Sequence, residues 1–272
     1  MASNPLNKRS EYPEGYSPNI LFGISRSDSR SLIKINSNLS LKGIDHWRAY
    51  EISWIDDSGK TEVRIGEFFF DIDSKNIIES KSLKLYLNSF NGENFQDEDD
   101  VKCKIIDDLS KLSGSKVNVS FYKLDSANIL DIMIRGGRSI DGEKISKIQK
   151  DPDSVSIATS DIIVENERLY SDLFRSVCPV TAQPDWASFQ IEYSGNKICA
   201  SDLLTYLCSY RNHSAYHEEC TESIFYDIFA KCKPLSLSIS LNFLRRGGID
   251  INIYRSTKEL AAKELMTRRI RQ

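Results

Sequence analysis

The two halves of this chain repeat one another, and the repeat limits the fold more than any other feature of the sequence. At a shift of 120, Phe69 falls on Phe189, Ile78 on Ile198, Leu83 on Leu203, Tyr86 on Tyr206, Leu87 on Leu207, Ser89 on Ser209 and Asp107 on Asp227. Self-similarity over such a distance marks a duplicated structural unit. The unit itself can be read from periodicity. Arg48 to Trp54 and Glu62 to Ile72 alternate as strands around the turn residues Asp56-Asp57-Ser58-Gly59. Ser80 to Phe90 changes to helical spacing, with Leu83, Tyr86, Leu87 and Phe90 on one face. A second helix is expected from about Asp97 to Leu112, followed by strands over Lys116 to Lys123 and about Ile140 to Lys147.

After a linker at Ile148 to Ser160, the second half runs through the same order. Ala187 to Tyr193 reads as a strand, Ala200 to Tyr210 and Tyr216 to Lys231 as helices, and Leu235 to Phe243 and Ile249 to Tyr254 as strands before a helical tail. The fold class is therefore α+β, with two copies of a two-strand, two-helix, two-strand module. The expected division is an extended arm over 1–30, a first module over 31–150 and a second over 151–272.

Composition narrows the function. A net charge of −3 argues against a polyanion-binding surface, and the three arginines between Arg268 and Gln272 read as a short solvated terminus. No apolar run reaches the length of a membrane span, and the first 16 residues lack a secretory core, so a cytoplasmic location is expected. The six cysteines are then free thiols. None forms a Cys-x-x-Cys pair, and no Cys/His grouping has zinc spacing, so no metal site is expected.

Five local features can carry chemistry, and each also has a purely structural reading. Cys178-Pro179 lies in a loop-like segment running to Gln183-Pro184-Asp185-Trp186. A loop thiol can meet a substrate, although a Cys-Pro turn is more often structural. Asp185 is a general acid/base or a turn aspartate. His213 and His217 stand four apart, yet without the His-Glu-x-x-His pattern; His217 and Glu218 suit a helix N-terminus even without function. Ile78-Glu79-Ser80-Lys81 closes a strand and opens a helix, with Ser80 or Ser82 as the cap or with Glu79 and Lys81 reading a polar ligand. Arg245-Arg246-Gly247-Gly248 is a hairpin turn or a phosphate grip. There is no Gly-x-Gly-x-x-Gly and no Walker loop, so a nucleotide cofactor must bind outside a Rossmann fold.

Together these segments resemble the NADPH-dependent 7-cyano-7-deazaguanine reductases of queuosine biosynthesis, in their long two-module form. The resemblance rests on Asp45-His46-Trp47, Tyr50-Glu51-Ile52-Ser53-Trp54, Glu79-Ser80-Lys81-Ser82-Leu83-Lys84-Leu85-Tyr86, Cys178-Pro179-Val180-Thr181, Gln183-Pro184-Asp185 and His217-Glu218-Glu219-Cys220, in that order. It implies tandem tunnelling-fold (T-fold) modules, each ββααββ, in a homodimer; the charge and the lack of a long apolar run leave no direct nucleic-acid or membrane partner expected. It implies Cys178 as the nucleophile that forms a thioimide with the nitrile and Asp185 as the proton donor. It implies Ile78, Glu79, Ser80, His217 and Glu218 as base-binding residues, and Ser80, Lys81, Arg246 and Gly247 as NADPH contacts. The family pattern has Gly and Pro where this chain has Ala187 and Ile253. Two rivals fit less well. A related purine or pterin enzyme such as a cyclohydrolase would need a zinc or catalytic His set. A non-catalytic purine-binding protein would not need the Cys178/Asp185 pairing.

Overall fold

The structure is a computed structural model that describes residues 12–33, 41–126, 135–145, 152, 157–260 and 268–272. Its centre is one eight-stranded sheet. In chain order the strands are β1 Gly23–Ser25, β2 Lys42–Ile55, β3 Thr61–Asp71, β4 Asn76–Ile78, β5 Asn118–Tyr122, β6 Arg138–Ser139, β7 Thr159–Val177, β8 Pro184–Ile198, β9 Ser236–Phe243 and β10 Ile249–Ser256. The helices are α1 Arg26–Ser31, α2 Ser80–Asn88, α3 Glu98–Ser113, α4 Ala200–Ser209 and α5 His217–Cys232. The large sheet has the order β5-β3-β2-β10-β9-β8-β7-β6, while β1 and β4 form a separate ribbon.

The halves meet where β10 pairs antiparallel with β2, with Ile251 opposite Trp47. Period-2 alternation gives the sheet two unlike faces. Trp47, Phe68, Phe70, Leu237, Ile239, Leu241, Ile251 and Ile253 are buried in one apolar core with the inner faces of α2 to α5. The opposite face carries His46, Arg48, Glu67, Asp250, Asn252 and Asn242, all buried and polar. Such groups need partners in place of water. Arg48 Nε donates to Glu67 at 3.0 Å, and Asn242 Nδ2 donates to Asn252 at 2.8 Å.

The C-terminal residues complete this polar face. Arg269 donates to Gln190 at 2.9 Å, and Gln272 Nε2 donates to Asn252 at 2.7 Å. They are docked, not solvated as their charge suggests. The arm is similarly built in from residue 12. Arg26 is 3% exposed and pairs with Asp45 at 2.9 Å.

Where the halves join, three guanidiniums surround two buried carboxylates. Arg255 reaches Asp45 at 2.7 Å and Glu222 at 2.8 Å, and Arg30 reaches Glu222 at 2.8 Å. Burial alone would raise the Glu222 pKa, but Arg255 and then Arg30 overcome it and hold Glu222 at about 2.

The repeat is visible in three dimensions, with one slip. Tyr206 donates to Asp227 at 2.5 Å, and its counterpart Tyr86 donates to Asp108 at 2.6 Å, so Asp108 and not Asp107 is the match. The anticipated linker ends early, because β7 already begins at Thr159. Sequence alternation hides this strand because register shifts at Thr159/Ile163, Val164/Glu167 and Ser171/Phe174 break its period. The expected strand over Ile140 to Lys147 is not formed in its described part; two residues just before it, Arg138–Ser139, pair in parallel with β7. The helical tail expected after Tyr254 is not formed in its described parts: β10 runs on to Ser256, and residues 257–260 and 268–272 are not helical, while 261–267 lie outside the described residues.

Candidate active site

Four segments far apart in sequence converge at the seam between the halves. The first is the hairpin loop joining β7 to β8. Cys178 N donates to Gln183 O and Ala182 N donates to Cys178 O, both at 2.9 Å, closing a tight loop that leaves Cys178 partly exposed. Ala182 sits at φ 54, in left-handed backbone. Asp185 follows as the second residue of β8, paired with Ser176 and only 4% exposed.

The second segment is the β4–α2 junction. Glu79, not Ser80 or Ser82, caps α2: its carboxylate accepts from Lys81 N at 2.9 Å and Ser82 N at 2.7 Å. That capping holds the carboxylate in place and leaves each oxygen a second lone pair. Pairing of Ile78 with Gly23 on β1 fixes the approach of this corner.

The third segment is the start of α5. His217 and Glu218 are its first two residues, behind a capping box in which Glu219 accepts from Tyr216 N at 3.2 Å. His213 stands outside the helix, after a short 3-10 turn, so it does not pair with His217 across one helical turn. His217 Nε2 lies 3.7 Å from Asp185, and the ring packs edge-on against Phe243 at 4.2 Å. Burial lowers the His217 pKa to about 4, against the opposing pull of Asp185, so the ring is neutral near pH 7. Glu218 is 2% exposed, and its Oε1 has no hydrogen-bond partner among the described residues. Burial, reinforced by nearby Asp45, raises its pKa to about 8.

The fourth segment is the β9–β10 turn. Arg246 and Ile249 exchange backbone hydrogen bonds around Gly247 and Gly248, whose φ values of 58 and 79 suit the tight turn. The Arg246 guanidinium pairs with Asp185 and donates to Gln183, tying this turn to the cysteine loop.

Two adjoining spaces result. An inner cavity has Cys178, Asp185, Ser80 and Glu218 on its walls. A larger outer groove shares Glu79, Ser80, Cys178, Asp185 and His217 and adds Lys81, Lys84, Arg246 and Gly247. Every site residue that the family resemblance implies lies on one or both, with Ile78 on the inner one, whereas His213, Ser82, Arg245 and Gly248 line neither. Lys84 was not singled out, although it stands one helical turn beyond Lys81 on α2 and so shares its face. Trp47, on β2, lines the inner cavity as well. Among the described residues, no three His, Cys, Asp or Glu side chains form a metal-holding group.

Comparisons with known proteins show the family of the chain. The family model described as "Nitrile reductase, 7-cyano-7-deazaguanine-reductase N-term" matches residues 12–121, and "QueF-like protein" matches residues 184–262. The chain is 44% identical to the NADPH-dependent 7-cyano-7-deazaguanine reductase of Saccharophagus degradans, over 94% of this chain and 95% of that one. This chain belongs to the 7-cyano-7-deazaguanine reductase family. The reductases of Paraburkholderia phymatum and Dechloromonas aromatica are each 41% identical, covering 94% and 99% of this chain and 94% and 95% of theirs. The tandem T-fold expected of the family is the architecture described above. Its two departures fall in regular strand. Ala187 pairs with Phe243, and Ile253 pairs with Leu241 and Asp45, so both are accommodated without a break in the ladder.

Proposed function

We propose that the chain reduces the nitrile of 7-cyano-7-deazaguanine to the aminomethyl group of 7-aminomethyl-7-deazaguanine, with NADPH as reductant, through a thioimide on Cys178. The observation that carries this reading is the placement of a partly exposed thiol, a carboxyl and an unpaired buried acceptor around one cavity that opens into a cationic groove.

The groove suits NADPH. Lys81, Lys84 and Arg246 supply positive charge, and Gly247 keeps the backbone bare: a Cβ there would lie 2.8 Å from Lys84 Nζ. Bound there, NADPH supplies the two hydrides the reaction consumes.

The chain's own groups do the rest. Cys178 Sγ adds to the nitrile carbon, a C–S bond forms, and one π pair passes to nitrogen, which takes a proton. Asp185, on the same cavity wall, is the group placed to move that proton. Once the carbon is reduced, the C–S bond breaks, the sulfur leaves with the electron pair and regains a proton, and an imine remains for the second reduction. Two hydrides and two protons in all convert the nitrile to the amine. Glu218 takes up two N–H donors of the guanine-like edge, which its unpaired oxygen is positioned to accept, and His217, Ile78, Glu79 and Ser80 frame the base. Arg246 donates to Asp185 and holds its carboxyl at the cavity wall, with the neutral His217 ring 3.7 Å away on its other side.

The chain is divided into a 1–30 arm, a 31–150 module and a 151–272 module, and it works as a cytoplasmic homodimer. The edge strands of the sheet suit joining to a second copy, and no described helix is long and apolar enough to cross a membrane.

The thioimide is tested by intact-mass measurement after mixing the protein with the base and no NADPH. A mass gain equal to the whole base, absent in Cys178→Ala, is expected. An adduct that survives in folded Cys178→Ala would overturn the assignment.

A further inference from the structure

Trp47 stands in the middle of β2, opposite Ile251 across the seam, and is 2% exposed. Its ring packs edge-on against Phe70 at 5.6 Å. Packing of that kind would be served by phenylalanine; the indole adds one polar atom, Nε1, and burying it has a cost. A buried donor left without a partner costs about 1–3 kcal/mol, and tryptophan in a core ordinarily finds an acceptor. Here Nε1 is buried and finds none among the described residues.

The unpaired donor has an unpaired neighbour of opposite kind. Glu218 Oε1 is the second buried polar atom without a partner among the residues lining the inner cavity, and Trp47 and Glu218 also line a narrow cleft beside it. Arg26 Nη1, a third unpaired donor, faces only the narrow cleft and does not reach the inner cavity wall. One wall thus offers an acceptor group with an N–H donor beside it. A guanine-like edge presents, in order, a carbonyl acceptor, a ring N–H and an exocyclic amino group. The carboxylate of Glu218 matches the two donors, and the carbonyl then lacks a donor.

We propose that Trp47 supplies it: its indole N–H donates to the base carbonyl and makes Trp47 a specificity-determining residue for bases that carry one. The proposal rests on the substrate reading given above. A site that dedicates a buried donor to an acceptor discriminates strongly against ligands lacking that acceptor, because the donor is then stranded.

The test uses indole-¹⁵N-labelled protein, which contains three tryptophans. The Trp47 signal is identified by its absence in Trp47→Phe. Saturating 7-cyano-7-deazaguanine should shift that signal strongly downfield in the otherwise unaltered protein. Trp47→Phe should bind this base roughly 10- to 100-fold more weakly. It should bind 2-amino-7-cyano-7-deazapurine, in which the carbonyl and with it the ring N–H are lost, as well as the unaltered protein does, because the missing N–H weakens both proteins alike. An unmoved Trp47 signal at saturation, or an equal loss for both ligands, would overturn the proposal. If Trp47→Phe does not fold, the signal in the unaltered protein decides alone. Failure of the unaltered protein to bind the base would overturn the substrate reading instead.

Discussion

Replacing Glu218 by glutamine separates what this side chain does for function from what it does to stability. In the folded chain the carboxyl is buried without a partner for Oε1, and its pKa rises from 4.5 to about 8. The folded state therefore holds a proton that the unfolded chain has lost anywhere between those two values. By linkage, stability falls as pH rises through that window and levels off above it. At pH 7 the deficit is about 3 kcal/mol, taking about 1.4 kcal/mol per pH unit over the part of the gap that lies between 4.5 and 7. Glutamine fills the same space and does not titrate. Glu218→Gln should therefore match the unaltered protein in thermal unfolding near pH 4 and exceed it by about 6–12 °C at pH 7, at about 2–4 °C per kcal/mol. The same change should weaken base binding by roughly 100-fold or more, because the amide offers one acceptor where two N–H donors need two. Base binding to the unaltered protein expels the proton, so its affinity should rise about tenfold per pH unit and flatten above about pH 8. The variant should show no such slope. Paired thermal melts and titrations across pH check all three outcomes. A stability difference that does not change with pH would refute the reasoning, as would a variant less stable than the parent at pH 8.

Arg255→Met strips the guanidinium from between Asp45 and Glu222 and should cost about 3–5 kcal/mol in denaturant unfolding, since both carboxylates stay buried. In the unaltered protein Glu222 is held at about 2, below its ordinary 4.5, so the stability it contributes is present above about pH 4.5 and lost as acid takes the pH down towards 2. Acid unfolding curves of the two proteins should therefore converge at low pH. Gly247→Ala forces a side chain onto a φ of 58 and against Lys84 Nζ, and should raise KM for NADPH several-fold with a smaller effect on kcat. An unchanged KM would remove Gly247 from the cofactor groove.

The sequence made much of this legible, and the failures have physical reasons. Helices α2, α4 and α5 and strands β3, β9 and β10 follow from period alone, because each buries one face in the common core. β7 has the weakest alternation and the most bulges, yet the repeat contains it: shifting Arg48 to Trp54 by 120 lands inside Thr159–Val177. The counterpart of β10 in the first half would fall at 129–136, mostly outside the described residues, which is why the repeat offers no check on the misplaced strand over Ile140 to Lys147. In the site, motif residues were legible one segment at a time, whereas their convergence depends on the β2–β10 pairing, which no local pattern encodes. Trp47 entered only as part of the Asp45-His46-Trp47 motif, because an unpaired buried Nε1 leaves no mark in sequence. Capping by Glu79 in place of a serine was hidden for a similar reason. Glu79 accepts from Lys81 N and Ser82 N, one residue earlier than a Ser80 cap would, where the β1–β4 ribbon sets the corner.

The central claim is a four-electron nitrile reduction begun by one thiol. The most direct test follows NADPH oxidation with 7-cyano-7-deazaguanine as the limiting reagent. Two NADPH consumed per base, 7-aminomethyl-7-deazaguanine as the product, and no oxidation by folded Cys178→Ala is the predicted result. One NADPH per base, or undiminished oxidation by Cys178→Ala, would contradict it.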